Sequence, residues 1–279
     1  MKQTLLMSLA LVAAFAAAGQ DTRQRSWMGV ENRVGLAVGI GSVTYLDENS
    51  SPLIYQAKPV NVKLFYNLES TNFLFAVNVD VRRGSNQPKY QKNGTMFFHE
   101  EDYKGKEEDK KFPAIGSFLA GRLSLGAYYK LPAARDAAFK IAVGGTISNE
   151  LFYPQGWTST GMFNALSFVP EAMVQRRVND RHAFQAAVRI PVVTNLTRLP
   201  YDNTVSKPGK TSLSGFFDNA QWVGPSKYLA PAMSLSYNYQ ISPHWGAGLN
   251  YDFGWYRIQK PQPMKAVSHS LLANFYHQF

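Results

Sequence analysis

From Val34 to the last residue, Phe279, bulky apolar side chains recur at every second position. In "GAGLNYDFGWYRI" (246–258), Ala247, Leu249, Tyr251, Phe253 and Trp255 fall on one face. Gly248, Asn250, Asp252 and Gly254 fall on the other. "YLAPAMSLSYNYQ" (228–240) and "AFQAAVRIPVVTNL" (183–196) repeat the pattern. A period of two is a strand signal. It predicts ten strands, near 33–46, 56–66, 72–83, 113–130, 137–151, 162–178, 183–196, 228–241, 246–258 and 265–279. Most exceed the roughly five to six residues of an average strand. They suit the ~9–11 residues with which a tilted strand crosses a bilayer.

The connections alternate. Tight turns, "NLEST", "LPAARD", "NDRH" and "SPHW", follow the second, fourth, sixth and eighth strands. Longer or more variable loops follow the odd ones, the longest near 84–112 and 197–227. An even strand count with this alternation predicts an all-β fold: a closed antiparallel transmembrane β-barrel of about ten strands, with short periplasmic turns and long extracellular loops. A soluble β-sandwich also alternates, but its strands are shorter and its apolar face lies inside. Two aromatic rows favour the membrane barrel. Tyr66, Phe73, Tyr129, Phe139, Phe184, Tyr239 and Trp245 fall at the expected periplasmic strand ends; Tyr153, Trp157, Phe163, Tyr228 and Trp255 fall near the outer ends.

Composition fits. Hydrophobic residues make up 45% and charged residues 17%, below the roughly 25% charged of a soluble domain. Mean hydropathy is nevertheless slightly negative, so the apolar residues are dispersed. The exception is "TLLMSLALVAAFAAA" after Lys2, which reads as a signal peptide over 1–19. Residues 20–32 then form a periplasmic segment and 33–279 the barrel. Cysteine is absent, which removes thiol catalysis and Cys zinc sites. The formal charge of +10 points to anionic lipid headgroups or polysaccharide and not, in an exported chain, to nucleic acid.

The chain ends "LLANFYHQF". Leu271, Ala273, Phe275 and Phe279 resemble the C-terminal signal of Gram-negative outer-membrane β-barrel proteins, with Phe275 and Phe279 as its aromatic positions. The leader, ending before a Gln, is similar to those of Bacteroidetes. The resemblance implies the bacterial outer membrane as location. It implies the barrel-assembly machinery, outer-membrane lipids and lipopolysaccharide as partners.

If the apolar face meets lipid, the other face lines the lumen. Lys63, Asp80, Arg122, Lys140, Glu171, Arg189, Asn250 and Asp252 are expected there. Glu171 and Arg189 lie nine residues either side of Asp180, which predicts a cross-strand ion pair. A ten-stranded barrel is little wider than one whose side chains fill it. The lumen is thus either a plugged polar core or a narrow, mildly basic conduit or cavity for a small polar solute.

Catalytic signals are sparse. No His has metal-ligand or nucleophile spacing, and no catalytic residue, metal or cofactor is expected. Ten strands are also the count of the omptin proteases, but no omptin motif matches. An outer-membrane hydrolase acting on lipid or peptide at the rim, through His269, is the alternative. "FHEEDYKGKEEDKK" (98–111) reads as a solvated surface loop. In the second long loop, Tyr201, Phe216, Phe217 and Trp222 are candidates for binding a surface partner.

Overall fold

A computed structural model describes residues 32–70, 72–90, 95–101, 105, 107–113, 115–131, 139–155, 161–179, 181–198 and 209–279. The expected signal peptide lies outside these residues. The first strands are β1 (Asn32–Asp47), β2 (Ser51–Glu69) and β3 (Phe73–Pro88). A separate hairpin follows, β4 (Thr95–Glu101) with β5 (Glu107–Pro113). Then come β6 (Gly116–Lys130), β7 (Phe139–Gln155), β8 (Phe163–Arg177), β9 (His182–Arg189) and β10 (Val193–Arg198). A short helix, α1 (Ser212–Phe217), is capped by Thr211. The chain closes with β11 (Gln221–Val223), β12 (Tyr228–Leu229), β13 (Ala232–Gln240), β14 (Trp245–Ile258) and β15 (Met264–Gln278).

All neighbours in the main sheet are antiparallel. The order runs β10/β9, β8, β7, β6, β3, β2, β1, β15, β14, β13, and β13 returns to β9. β9 and β10 are halves of one strand, interrupted around Pro191; β12 and β13 are halves of another, interrupted at Pro231. Counted so, ten strands form a closed barrel, as the sequence predicts. Closure rests on β1 against β15, an unbroken ladder from Arg33↔Gln278 to Asp47↔Met264.

Side-chain parity is clear at that seam. Ile40 is 69% and Leu271 52% exposed, whereas Ala37 and Leu272 are 0% and 2%. The outward face is apolar on every strand: Val62 and Leu64 on β2, Val79 and Val81 on β3, Leu123 and Leu125 on β6, Phe184 and Val188 on β9. Within the apolar band, charges turn inward. This is a soluble fold inside out, stable only where lipid covers the outside.

Several expectations need correction. Phe163 and Tyr228 are buried inside the barrel and are not part of an outer girdle. Strand parity explains why: Phe163 shares its face with inward Glu171, and Tyr228 with inward Ser234. Tyr66 keeps the outward parity of Val62 and Leu64 but is covered to 8% exposure, while Trp157 lies outside the described residues. The connection after β1 is a tight turn, with Ser50 N–H donating to the Asp47 carbonyl at 3.0 Å. The stretch near 84–112 is largely strand.

The wall has one irregular patch. Pairing of β9 with β13 stops at Arg189↔Ala232. Beyond it β10 pairs with β11, and β12 pairs with β14. Pro191 and Pro231, which have no N–H to donate, sit on opposite sides of this gap. Both line the internal cavity. Irregular backbone at membrane depth is tolerated where it borders such a space.

Glycine permits the closing seam. A Cβ on Gly39 would lie 1.9 Å from the Leu271 carbonyl oxygen. Gly39→Val is therefore expected to block closure of β1 on β15, and the outward Val38→Ala to leave it intact. Heat-modifiable migration of the refolded barrel on gels checks this: the Gly39 variant should lack the compact band.

Candidate functional site

The lumen is built in layers. At the outer end, inward residues of eight strands form an aromatic plug. Tyr45 (β1) stacks on Tyr55 (β2) at 5.5 Å, and its ring meets Phe152 (β7) edge-on at 5.4 Å. Phe152 also meets Phe118 at 5.2 Å, Phe163 at 5.1 Å and Tyr256 (β14) at 5.8 Å. Tyr228, Ile258 and Met264 complete the cluster. β1 and β7 lie on opposite walls, as do β7 and β14, so these rings meet across the barrel axis. Above them Arg198, at the end of β10, pairs with Asp47 at the end of β1 and donates to the carbonyls of Lys260 and Gln262. Both partners are 4% exposed. Plug and ion pair together close the outer mouth.

Below the plug lies a girdle of charge. The register runs Lys63↔Asp80↔Arg122↔Glu150 across β2, β3, β6 and β7, with the sign alternating at each step. Asp80 anchors it. Arg82 Nη2 donates to Asp80 Oδ2 at 2.8 Å and Arg122 Nη2 at 3.5 Å. On β8, Glu171 accepts from Tyr128 Oη at 3.0 Å and from Thr146 Oγ1 at 3.4 Å. Toward the periplasm, Leu74, Ala76, Tyr128, Ala142, Met173 and Ala187 pack together. Lys130 Nζ bonds Glu69 Oε1 at 2.8 Å, and the Arg33 guanidinium lies 5.3 Å from the centroid of the Tyr276 ring.

The packing leaves a cavity of about 180 Å³. It lies against β13 and β14, most of whose inward residues are small: Ser234, Ser236, Asn238, Gly248, Asn250, Gly254. Large charged side chains face it from the other walls, and Asp252 from β14 itself. Lys63, Arg189, Glu150 and Asp252 all line it. None of these four makes a side-chain hydrogen bond or ion pair with a described residue. Inward β13 residues are partly exposed down to Gln240 at the periplasmic rim, and Arg33 and Asn67 near that end also line the space.

Of the residues singled out from sequence, Lys63, Arg122, Glu171, Arg189, Asn250 and Asp252 line this one cavity. Asp80 lies behind it, held by the arginines. Lys140 stands opposite Gln175, near the periplasmic end and away from the cavity. Glu171 and Arg189 are direct cross-strand partners, but the expected ion pair is not formed, because Tyr128 and Thr146 hold the carboxylate. In the outer loop Phe216 is buried, while Phe217 is 46% and Trp222 68% exposed; Tyr201 lies outside the described residues. Phe275 and Phe279 face outward. His269 also faces outward, its Nδ1 2.7 Å from Tyr251 Oη, while Ser268 and Ser270 turn inward and form no Ser–His pair. Among the described residues no cluster of His, Asp or Glu is placed to hold a metal. Sequence reasoning missed the plug and the Asp47–Arg198 pair. Inward parity of Tyr45, Tyr55, Phe152 and Tyr256 was the available signal for the first; the second joins strand ends with no local pattern.

A closed sheet with an apolar exterior and a charged interior has one stable setting. The protein is an integral outer-membrane β-barrel. No protein-family profile matches the chain, and no curated protein matches it in sequence. Among solved structures it is similar to the outer-membrane protease OmpT from Escherichia coli, at 7% identity, over 93% of this chain and 99% of the other, with a TM-score of 0.49. The translocator domain of the autotransporter NalP from Neisseria meningitidis matches at 10% identity over 99% and 96%, TM-score 0.42. The COG4313 outer membrane channel from Pseudomonas putida F1 matches at 7% identity over 93% and 99%, TM-score 0.43.

The girdle makes a stability prediction. Asp80→Asn leaves Arg82 and Arg122 without their shared counter-charge inside the barrel. The expected loss is about 3 kcal/mol, read from urea unfolding of the barrel in lipid vesicles. Adding Arg82→Gln should recover part of it.

Proposed function

We propose that the barrel binds a small charged solute in its lumen from the periplasmic side and is closed toward the exterior. The observation that carries this reading is the combination of a sealed outer mouth with a cavity faced by four ionisable groups that form no hydrogen bond or close ion pair with a described residue. Lys63 and Arg189 supply donors for a carboxylate or phosphate, and Glu150 and Asp252 accept from a donor group on the same solute. Ionised groups below a bilayer's surface are expensive unless paired or hydrated, so a cavity that keeps them apart favours a polar occupant. The volume, at ~30 Å³ per water, holds about six waters. A solute of a few heavy atoms displaces them; a folded loop or a lipid tail does not fit.

The plug defines what transport would require. Phe152 touches rings from four other strands, so passage needs its displacement. In planar bilayers the wild-type barrel is expected to be silent. Phe152→Ala with Tyr256→Ala is expected to conduct with a preference for anions, because five basic residues (Arg33, Lys63, Arg82, Arg122, Arg189) and three acidic ones (Glu150, Glu171, Asp252) line the cavity. Adding Lys63→Gln and Arg189→Gln should move the reversal potential toward zero. Stepwise conductance of the wild type would overturn the closed-mouth reading.

A further inference from the structure

The barrel wall opens beside Pro191 and Pro231. The ladder between β9 and β13 ends with Arg189↔Ala232, and pairing on that seam resumes only at Thr194↔Val223. Residues 190–193 on one side face residues 224–231 on the other. Ile190 and Val192 donate to the Pro170 and Phe168 carbonyls on β8, at 3.2 and 3.0 Å, and the Pro231 carbonyl accepts from Trp255 N–H on β14 at 3.1 Å. Backbone groups alternate in direction along a strand, so the next rung of the broken ladder falls on Pro191 and Ala230. Pro191 has no N–H to give. Neither residue forms a backbone hydrogen bond with a described residue, so both carbonyls and the Ala230 N–H point into the gap.

The gap lies at membrane depth. Through the register of β8, β7 and β6, Val192 is level with outward Phe168, Ile147 and Leu125. Pro231 is level with Trp255 and Val267. The next outward residues beyond Ile147 and Trp255 are Asn149 and Arg257, which puts the gap in the outer leaflet. Unpaired backbone groups are costly there. On the lipid side the lips are apolar. Val192 and Val193 are 37% and 47% exposed, and Leu229 and Met233 lie on the outward face across from them. On the inner side Pro191, Ala230 and Pro231 border the charged cavity, with Arg189 on the last rung.

An opening with apolar lips and a polar chamber behind selects a ligand that is polar at one end only. The cavity of about 180 Å³ takes a head of a few heavy atoms but no hydrocarbon chain. We propose that the gap is a lateral portal for a single-chain amphiphile of the outer leaflet. Its anionic head, a carboxylate or phosphate, accepts from Arg189 and the Ala230 N–H. Its tail stays in the bilayer along Val192, Val193, Leu229 and Met233. The portal rests on the reading of the cavity as a binding site, and not on entry from the periplasm.

The test uses the purified full barrel in neutral detergent, with binding read by isothermal titration calorimetry against empty micelles. The probes are laurate and lauroyl lysophosphatidate, which share a tail and separate carboxylate from phosphate, with acetate, inorganic phosphate and dodecanol as head and tail alone. At least one amphiphile is expected to bind roughly tenfold or more tighter than its head alone and than dodecanol. Pro191→Ala supplies the missing N–H, lets the rung to Ala230 form and should weaken that binding roughly tenfold. Val193→Trp, which fills the lip from the lipid side, should do the same. Arg189→Gln should weaken both amphiphiles, and Leu64→Ala, on the far wall, should change nothing. Heat-modifiable migration confirms that each variant is folded. Amphiphiles bound no better than acetate and phosphate would overturn the portal and leave the lumen site standing. Binding of no anionic probe would remove both. Wild-type affinity in the Pro191→Ala and Val193→Trp variants would place the contact elsewhere on the wall and overturn the portal too.

Discussion

Every backbone N–H and C=O that meets hydrocarbon must find its partner within the protein. A sheet meets that demand only by closing, so the ladder between β1 and β15 is the bond on which the rest depends. It joins the first and last strands of the barrel, and it dictates the parity of both. Gly39 and its neighbours let the two backbones approach. Leu271 and Phe275 then face lipid, and Asn274 and Ser270 face the lumen. Once one strand's parity is set, its neighbours inherit it through the register.

Closure also creates the interior that function must use. Half of each strand's side chains are forced into a narrow tube, and this chain divides the tube by chemistry. Aromatic rings fill the outer end, where the strands rise beyond the lipid and a dry core can hold the collar together. Alternating charge fills the middle, with Asp80 neutralised by two arginines. Large residues on β2, β3, β6 and β7 lean toward a wall of Ser, Asn and Gly on β13 and β14. The cavity is what that asymmetry leaves open. The gap in pairing at Pro191 and Pro231 borders the same space, where water can satisfy the freed backbone groups.

Most of this was legible in the alternation, because a period of two is enforced residue by residue by lipid on one side. Ten strands, the inward set from Lys63 to Asp252 and the outward Phe275 and Phe279 all follow from it. What was not legible depends on distance across the lumen. Parity placed Glu171 opposite Arg189 but said nothing of Tyr128 two strands away, whose hydroxyl takes the carboxylate. Phe163 and Tyr228 look like girdle aromatics by position along the strand; only their face shows that they plug the mouth. Asp47 and Arg198 are 151 residues apart and meet because the barrel is round.

The proposed function requires a lumen closed to the outside and reached from the periplasmic end. The chain has no cysteine, so one introduced thiol reports alone. Ser236→Cys, on the cavity wall, and Ser226→Cys, in the exposed outer connection, can be placed in proteoliposomes of known orientation. A small charged thiol reagent is then added to one side at a time. The Ser226→Cys thiol is expected to react only from the extracellular side and the Ser236→Cys thiol only from the periplasmic side. Equal reaction of Cys at 236 from the extracellular side would contradict it.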